Sequence, residues 1–184
     1  MPLDLQPTLR GRLVHIRPLQ AADFPALFAV AADPLIWEQH PAHDRYQPVV
    51  FRTFFEDALR SGGALVVVDV TSGHVIGSSR YHVADANPDR REVEVGWTFL
   101  ARAYWGGRYN AETKFLMLRH AFESVDRVVF LVGLENWRSQ RALEKIGARR
   151  VGERPDASGR PSFEYEMTAE NFRQGPLIAL ASRT

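Results

Sequence analysis

Between Glu92 and Leu134 the spacing of apolar residues switches from strand to helix and back. Glu92 to Leu100 alternates, with Glu92, Glu94, Gly96 and Thr98 on one face and Val93, Val95, Trp97 and Phe99 on the other, the period of a strand. The turn Tyr104-Trp105-Gly106-Gly107-Arg108-Tyr109-Asn110 follows. Beyond it Ala111, Phe115, Leu118, Phe122 and Val125 recur at spacings of four, three, four and three, the stripe of an amphipathic helix. Arg127 to Leu134 is an apolar strand again. A chain built on this unit combines strands and helices in one fold.

The flanking segments extend the pattern. Leu9 to Arg17 alternates and stops at Pro18, which predicts one strand. Ala21 to Ala32 carries Phe24, Leu27, Phe28 and Ala31 on one helical face. Leu35 to Pro48, with two prolines, reads as a short helix and a loop. Val49 to Arg60 reads as a helix closed by Gly62-Gly63. Ala64 to Val70 is nearly continuous in apolar residues, as for a strand covered on both faces, and His74 to Val83 is its hairpin partner. Asp85 to Arg90 is a polar loop. Asn136 opens a helix that Gly147 ends. Ala148 to Glu153 and Pro161 to Met167 form a last strand pair, and Thr168 caps a last helix. Strands outnumber the helices that could cross between them, so the sheet is mixed. A single domain is expected over residues 1–173, with a C-terminal tail at 174–184 whose packing the sequence leaves open.

Composition narrows the function. The chain has 184 residues, no cysteine, and 23 Lys and Arg against 22 Asp and Glu. A thiol nucleophile and a cysteine zinc site are excluded. The near-zero net charge argues against a dedicated nucleic-acid binder. No apolar run spans a bilayer, and the start lacks a basic segment followed by an apolar one, so a cytoplasmic protein without membrane association is expected. Of the six histidines only His40 and His43 lie close together, and no carboxylate spacing joins them in a metal site.

Two constellations carry chemistry. In the first, Gly106-Gly107 joins a strand to a helix. Glycines let backbone N–H groups approach a ligand, and a helix start leaves N–H donors unpaired, so the turn suits a phosphate or pyrophosphate, with Arg108 and Lys114 adding positive charge. A helix-entry turn that binds nothing fits the residues as well. Neither the Walker pattern nor the three spaced glycines of a dinucleotide site is present. The second is Asn136-Trp137-Arg138-Ser139 followed by Lys145-Ile146-Gly147, where Asn136 as a helix cap is the plain alternative.

Together these residues resemble the GNAT superfamily of acyl-CoA N-acyltransferases. The likeness rests on the Trp-Gly-Gly-x-x-Asn-x-Glu-x-Lys turn from Trp105 to Lys114 and on the Asn136-x-x-Ser139 to Lys145-x-Gly147 segment. Leu13-Val14-His15-Ile16-Arg17-Pro18-Leu19 and Glu94-Val95-Gly96-Trp97 are similar to the branch of the ribosomal-protein N-terminal acetyltransferases. The resemblance spans Leu9 to Arg173. It implies an α+β fold with a mixed, mostly antiparallel sheet of about seven strands flanked by helices and splayed between the fourth and fifth strands. It implies acetyl-CoA as donor and a primary amine as acceptor. Pyrophosphate would rest on the backbone of Gly106, Gly107, Arg108, Tyr109 and Asn110, with Arg108 where the family usually has a glycine. Thr98, Phe99 and Leu100 would face the pantetheine arm, and Trp105, Asn136 and Ser139 would contact the donor. Backbone N–H groups near Thr98 and Phe99 are the candidate oxyanion donors. The family's acidic tyrosine falls on Leu143, which leaves Ser139 with Asn136, or water, to protonate the thiolate. Glu94 is the candidate base, Glu92 a solvated carboxylate and Glu112 a structural one. Trp37 and Tyr46 are candidates for the acceptor pocket. The competing readings are an acyl-CoA-binding module without turnover and a nucleotide-phosphate binder of another fold. A homodimer is compatible with the branch.

Overall fold

The computed structural model describes residues 2–83 and 91–182, and the loop expected at Asp85–Arg90 lies outside the described residues. The strands are β1 Leu9–Arg10, β2 Val14–Pro18, β3 Ala64–Asp69, β4 Val75–His82, β5 Glu92–Leu100, β6 Arg127–Gly133, β7 Arg149–Pro155 and β8 Pro161–Thr168. They form one eight-stranded sheet in the order β1-β2-β3-β4-β5-β6-β8-β7. Every neighbouring pair is antiparallel except β5 and β6, which run parallel. The helices are α1 Phe24–Ala31, α2 Pro48–Arg60, α3 Arg108–Ala121, α4 Trp137–Lys145, α5 Ala169–Gln174 and α6 Pro176–Ser182. Among the described residues no helix is long and apolar enough to cross a membrane.

The sheet has one strand more than the sequence pattern suggests. Leu9 to Arg17 is not a single strand, because it folds back on itself and pairs Leu9 with Ile16. A carboxylate causes the break. Glu112, near the start of α3, accepts the N–H groups of Arg12, Leu13 and Val14 at 2.9, 2.7 and 2.8 Å. Those donors are drawn out of any strand ladder.

Two apolar cores form, one on each face of the sheet. The larger joins α3 with Val93, Val95, Val128 and Phe130, and the smaller joins α1 and α2 with Val66 and Phe99. The smaller core is aromatic: Phe99 packs on Trp37 with ring centres 5.0 Å apart and meets Phe51 edge to face at 6.3 Å. The C-terminal segment packs as well. Leu177 of α6 is fully buried in the larger core.

The alternation expected along β5 breaks at a bulge. Ser78 pairs with Phe99 and Arg80 with Gly96, so Trp97 and Thr98 together stand opposite Ser79. Trp97 has φ of 52°, a left-handed conformation that costs a non-glycine residue about 1 kcal/mol or more. The extra residue reverses the faces. Val93 and Val95 serve the α3 core, whereas Phe99 serves the α1–α2 core. Thr98 does not share a face with Glu92 and Glu94 as the alternation predicts; its hydroxyl meets Lys114 of α3.

Candidate active site

The parallel partners β5 and β6 pair only from Glu92 to Glu94, against Arg127 to Val129. Beyond Glu94 they part. Beyond that point the backbone groups on the two facing edges no longer bond to each other. A cavity of about 650 Å³ opens there, bounded by Thr98, Phe99 and Leu100 on one side and Asn136 and Ser139 on the other.

The turn into α3 forms the floor. Gly106 has φ of +85°, which favours glycine, whereas the φ of 171° at Gly107 is extended backbone open to any residue. The first intrahelical bond runs from Ala111 N–H to Gly107 C=O at 3.1 Å. Among the described residues no side chain caps this helix start, so the N–H groups of Arg108, Tyr109 and Asn110 are left as unused donors. Trp105 is pinned by its indole N–H to Leu100 C=O at 2.8 Å. Of the turn residues expected to hold an anion, Trp105, Gly106, Gly107, Arg108 and Asn110 line the cavity. The Tyr109 side chain turns away, bonding Asp69 at 3.2 Å and packing on Tyr104, so only its backbone can serve.

The opposite wall is α4. Asn136 is its cap, accepting the Ser139 N–H at 3.2 Å. This confirms the capping role, and it also leaves the Ser139 side chain on the cavity. Leu143 lies in the larger core, so no acidic hydroxyl stands there. Arg138, Arg141 and Lys145 join Arg108 on the cavity lining, which contains four basic side chains and, among the described residues, no carboxylate. The sequence reading missed this helix face, although spacings of three and four between 138, 141 and 145 place all three on one stripe. Arg138 also clasps the far rim. It donates to Ile36 C=O at 2.7 Å, and its guanidinium lies 4.2 Å from the Trp105 ring centre.

Ile36, Trp37 and His40 close the rim from the segment after α1. Trp37 is buried and held by its indole N–H to Ala31 C=O at 2.7 Å. Tyr46, its expected companion, is exposed and does not line this cavity. His40 accepts the Ala42 N–H at Nδ1, and burial, with Arg45 beside it, pushes its pKa down to about 3. Among the described residues no cluster could hold a metal ion.

The two strand carboxylates differ from each other. Glu92 is not solvated: it binds Arg127 at 2.6 Å and Arg154 at 3.3 Å in a network with Glu164 and Glu166. Glu94 is 8% exposed and stands at the last paired position, where the strands part. Burial pushes its pKa up to about 7, with Arg154 opposing. It does not line the cavity itself. Nor does Lys114, the expected second phosphate charge. Lys114 is buried behind Thr98, 2.7 Å from its hydroxyl, and burial draws its pKa down to about 7.

A mixed sheet parted at one parallel pair, with a free helix start and a basic wall, defines an acyl-CoA-dependent transferase. Comparison with known proteins agrees. Residues 13–149 match the acetyltransferase (GNAT) domain family, and the chain belongs to it. It is an acetyl-CoA-dependent N-acetyltransferase. No curated protein matches the chain. A T. thermophilus protein assigned as an acetyltransferase is 30% identical over 100% of this chain and 97% of its own, with a TM-score of 0.74. An acetyltransferase from Agrobacterium tumefaciens is 27% identical over 88% of this chain and 94% of its own, at 0.67. Mycobacterium smegmatis RimJ, solved with CoA-disulfide, shares the fold at 21% identity, covering 96% of this chain and 93% of its own, at 0.68.

Proposed function

We propose that the protein transfers the acetyl group of acetyl-CoA directly to a primary amine, on a protein N-terminus or a small molecule, with the donor held in the gap between β5 and β6. The observation that carries this reading is the lining of that gap: among the described residues, four basic side chains, no carboxylate, and a helix start with unused N–H donors. Pyrophosphate rests on the backbone from Gly106 to Asn110, and the pantetheine arm runs along Thr98 to Leu100.

Glu94 takes a proton from the incoming ammonium through water. Its raised pKa suits a base working near neutrality. The amine nitrogen bonds to the thioester carbon, and the oxyanion is met by backbone N–H groups near Thr98 and Phe99. The carbon–sulfur bond breaks, Ser139, oriented by the Asn136 cap, protonates the departing thiolate, and the second proton of the attacking nitrogen passes through water to restore the Ser139 hydroxyl. Direct attack is favoured because the chain has no cysteine to carry the acetyl group.

The test incubates the protein with acetyl-CoA and a panel of peptides with free N-termini, amino acids, polyamines and aminoglycosides. Free thiol is followed, and the product is identified by its mass gain. Thiol release that depends on one amine class supports the enzyme and names the acceptor. Acetyl-CoA binding without release over the whole panel, in a chain with leucine at the usual tyrosine place, supports a binding module instead.

A further inference from the structure

The α3 stripe that faces the larger core contains one misplaced residue. Lys114 lies three positions after Ala111 and four before Leu118, and it is 5% exposed between core side chains. Its Nζ stands 5.4 Å from the Phe130 ring centre, and no carboxylate pairs with it among the described residues. Burying an ammonium, or even a neutral amine, without a counter-charge is costly, and a methionine of similar length would fill the space more cheaply. Packing therefore does not explain the lysine.

Its hydrogen bond does. Nζ donates to Thr98 Oγ1 at 2.7 Å, and Thr98 Oγ1 is 2.8 Å from Ser79 Oγ. Both hydroxyls lie 3.5 Å from the Gly96 carbonyl. Because Thr98 accepts from the lysine, its own proton is free to pass to Ser79 or toward Gly96. These bonds link α3 across β5 to the fully buried Ser79 of β4 and the carbonyl before Trp97, with either hydroxyl able to donate between Thr98 and Ser79. This chain encloses the bulge, including the left-handed Trp97. Strained backbone persists only where its surroundings over-determine it. Thr98 carries the chain to the cavity wall.

We propose that Lys114 is a positioning residue for acetyl transfer: through Thr98 and Ser79 it locks the β5 bulge, so that the strand's backbone N–H groups point at the thioester carbonyl. The proposal rests on the acetyl-CoA reading above. That burial leaves the amine titrating far below a solvated lysine accords with a group kept without a counter-ion.

The test needs no acceptor. Acetyl-CoA labelled with carbon-13 at the carbonyl is bound to the protein, and the infrared carbonyl band is read beside calorimetric affinity. Wild type shifts the band to lower frequency, as a polarised carbonyl must. Lys114→Met keeps acetyl-CoA affinity within about threefold but loses most of the shift. Once an acceptor is known, kcat falls by about tenfold or more with KM for acetyl-CoA little changed, less than the loss of an oxyanion donor itself. Thr98→Val, which keeps shape and removes the relay, loses most of the band shift as well, and the double variant loses no more of it than either single one. Should Lys114→Met fail to fold, Thr98→Val decides alone. A full band shift in either folded variant, or additive losses in the double, overturns the proposal. Absence of binding by wild type overturns the acetyl-CoA reading, and this proposal with it.

Discussion

Glu112 and Leu13 stand 99 positions apart in the chain, yet the carboxylate of one accepts the backbone N–H of the other at 2.7 Å. With Arg12 and Val14 completing the set, the start of α3 is tied to the turn between the first two strands. The start of α3, which lines the cavity, is thereby fixed to the sheet. Glu112→Ala strands three N–H donors and lowers stability by about 3 kcal/mol or more, seen as a lower urea midpoint. Gly11→Ala has a similar effect, because a Cβ there meets Glu112 Oε2 at 2.6 Å and that carboxylate is too well held to yield.

With Glu94 as the proposed base, activity and stability depend on pH in opposite senses. As a base it works deprotonated, so kcat rises with pH through about 7. Glu94→Gln removes that limb and lowers kcat by about a hundredfold. Folding goes the other way. The folded pKa of about 7 exceeds the ordinary value of 4.5, so between those values the folded chain keeps a proton that the unfolded chain has released. The contribution is whole below that window and is lost as pH rises through about 7. Glu94→Gln is therefore more stable than wild type at pH 8 and not at pH 4, and thermal melts at the two values check it.

Ser139 and Asn136 separate by assay. Asn136→Ala removes the cap and costs about 1 kcal/mol of stability. Ser139→Ala leaves the melting temperature within a degree or so and lowers kcat by about a hundredfold, the low end of what a proton donor contributes. Unchanged turnover in Ser139→Ala would assign thiolate protonation to water.

The basic face of α4 is read by a truncated donor. Arg141→Ala weakens acetyl-CoA binding by roughly tenfold, about 1.4 kcal/mol, and the loss shrinks as salt rises. Acetyl-pantetheine, which lacks the nucleotide and its phosphates, binds wild type and variant equally. Equal losses for both ligands would place Arg141 against the arm rather than the phosphates.

Much of this was legible because it depends on local period. The strand, turn and helix from Glu92 to Ala121, the later strands, and the α4 cap at Asn136 all follow from spacing and turn residues within the chain. What escaped depends on distant partners. Leu9 to Arg17 looks like one strand until Glu112 intervenes. Glu92 looks solvated until Arg127 and Arg154 reach it from two other strands. The β5 bulge carries no mark in its own alternation, since Trp97 and Thr98 suit a strand well; only the register against Ser79 exposes it. Lys114 did leave a signal, a charge on an apolar stripe, but proximity to the Gly-Gly turn suggested a phosphate contact instead of a buried brace.

Acetyl-CoA is proposed to occupy the gap between β5 and β6. A crystal structure of the protein with acetyl-CoA tests it directly. Pyrophosphate oxygens are expected within hydrogen-bond reach of the backbone N–H groups at the start of α3, with the thioester between Thr98 and Ser139. Acetyl-CoA seated on another surface, with that gap filled only by solvent, would contradict it.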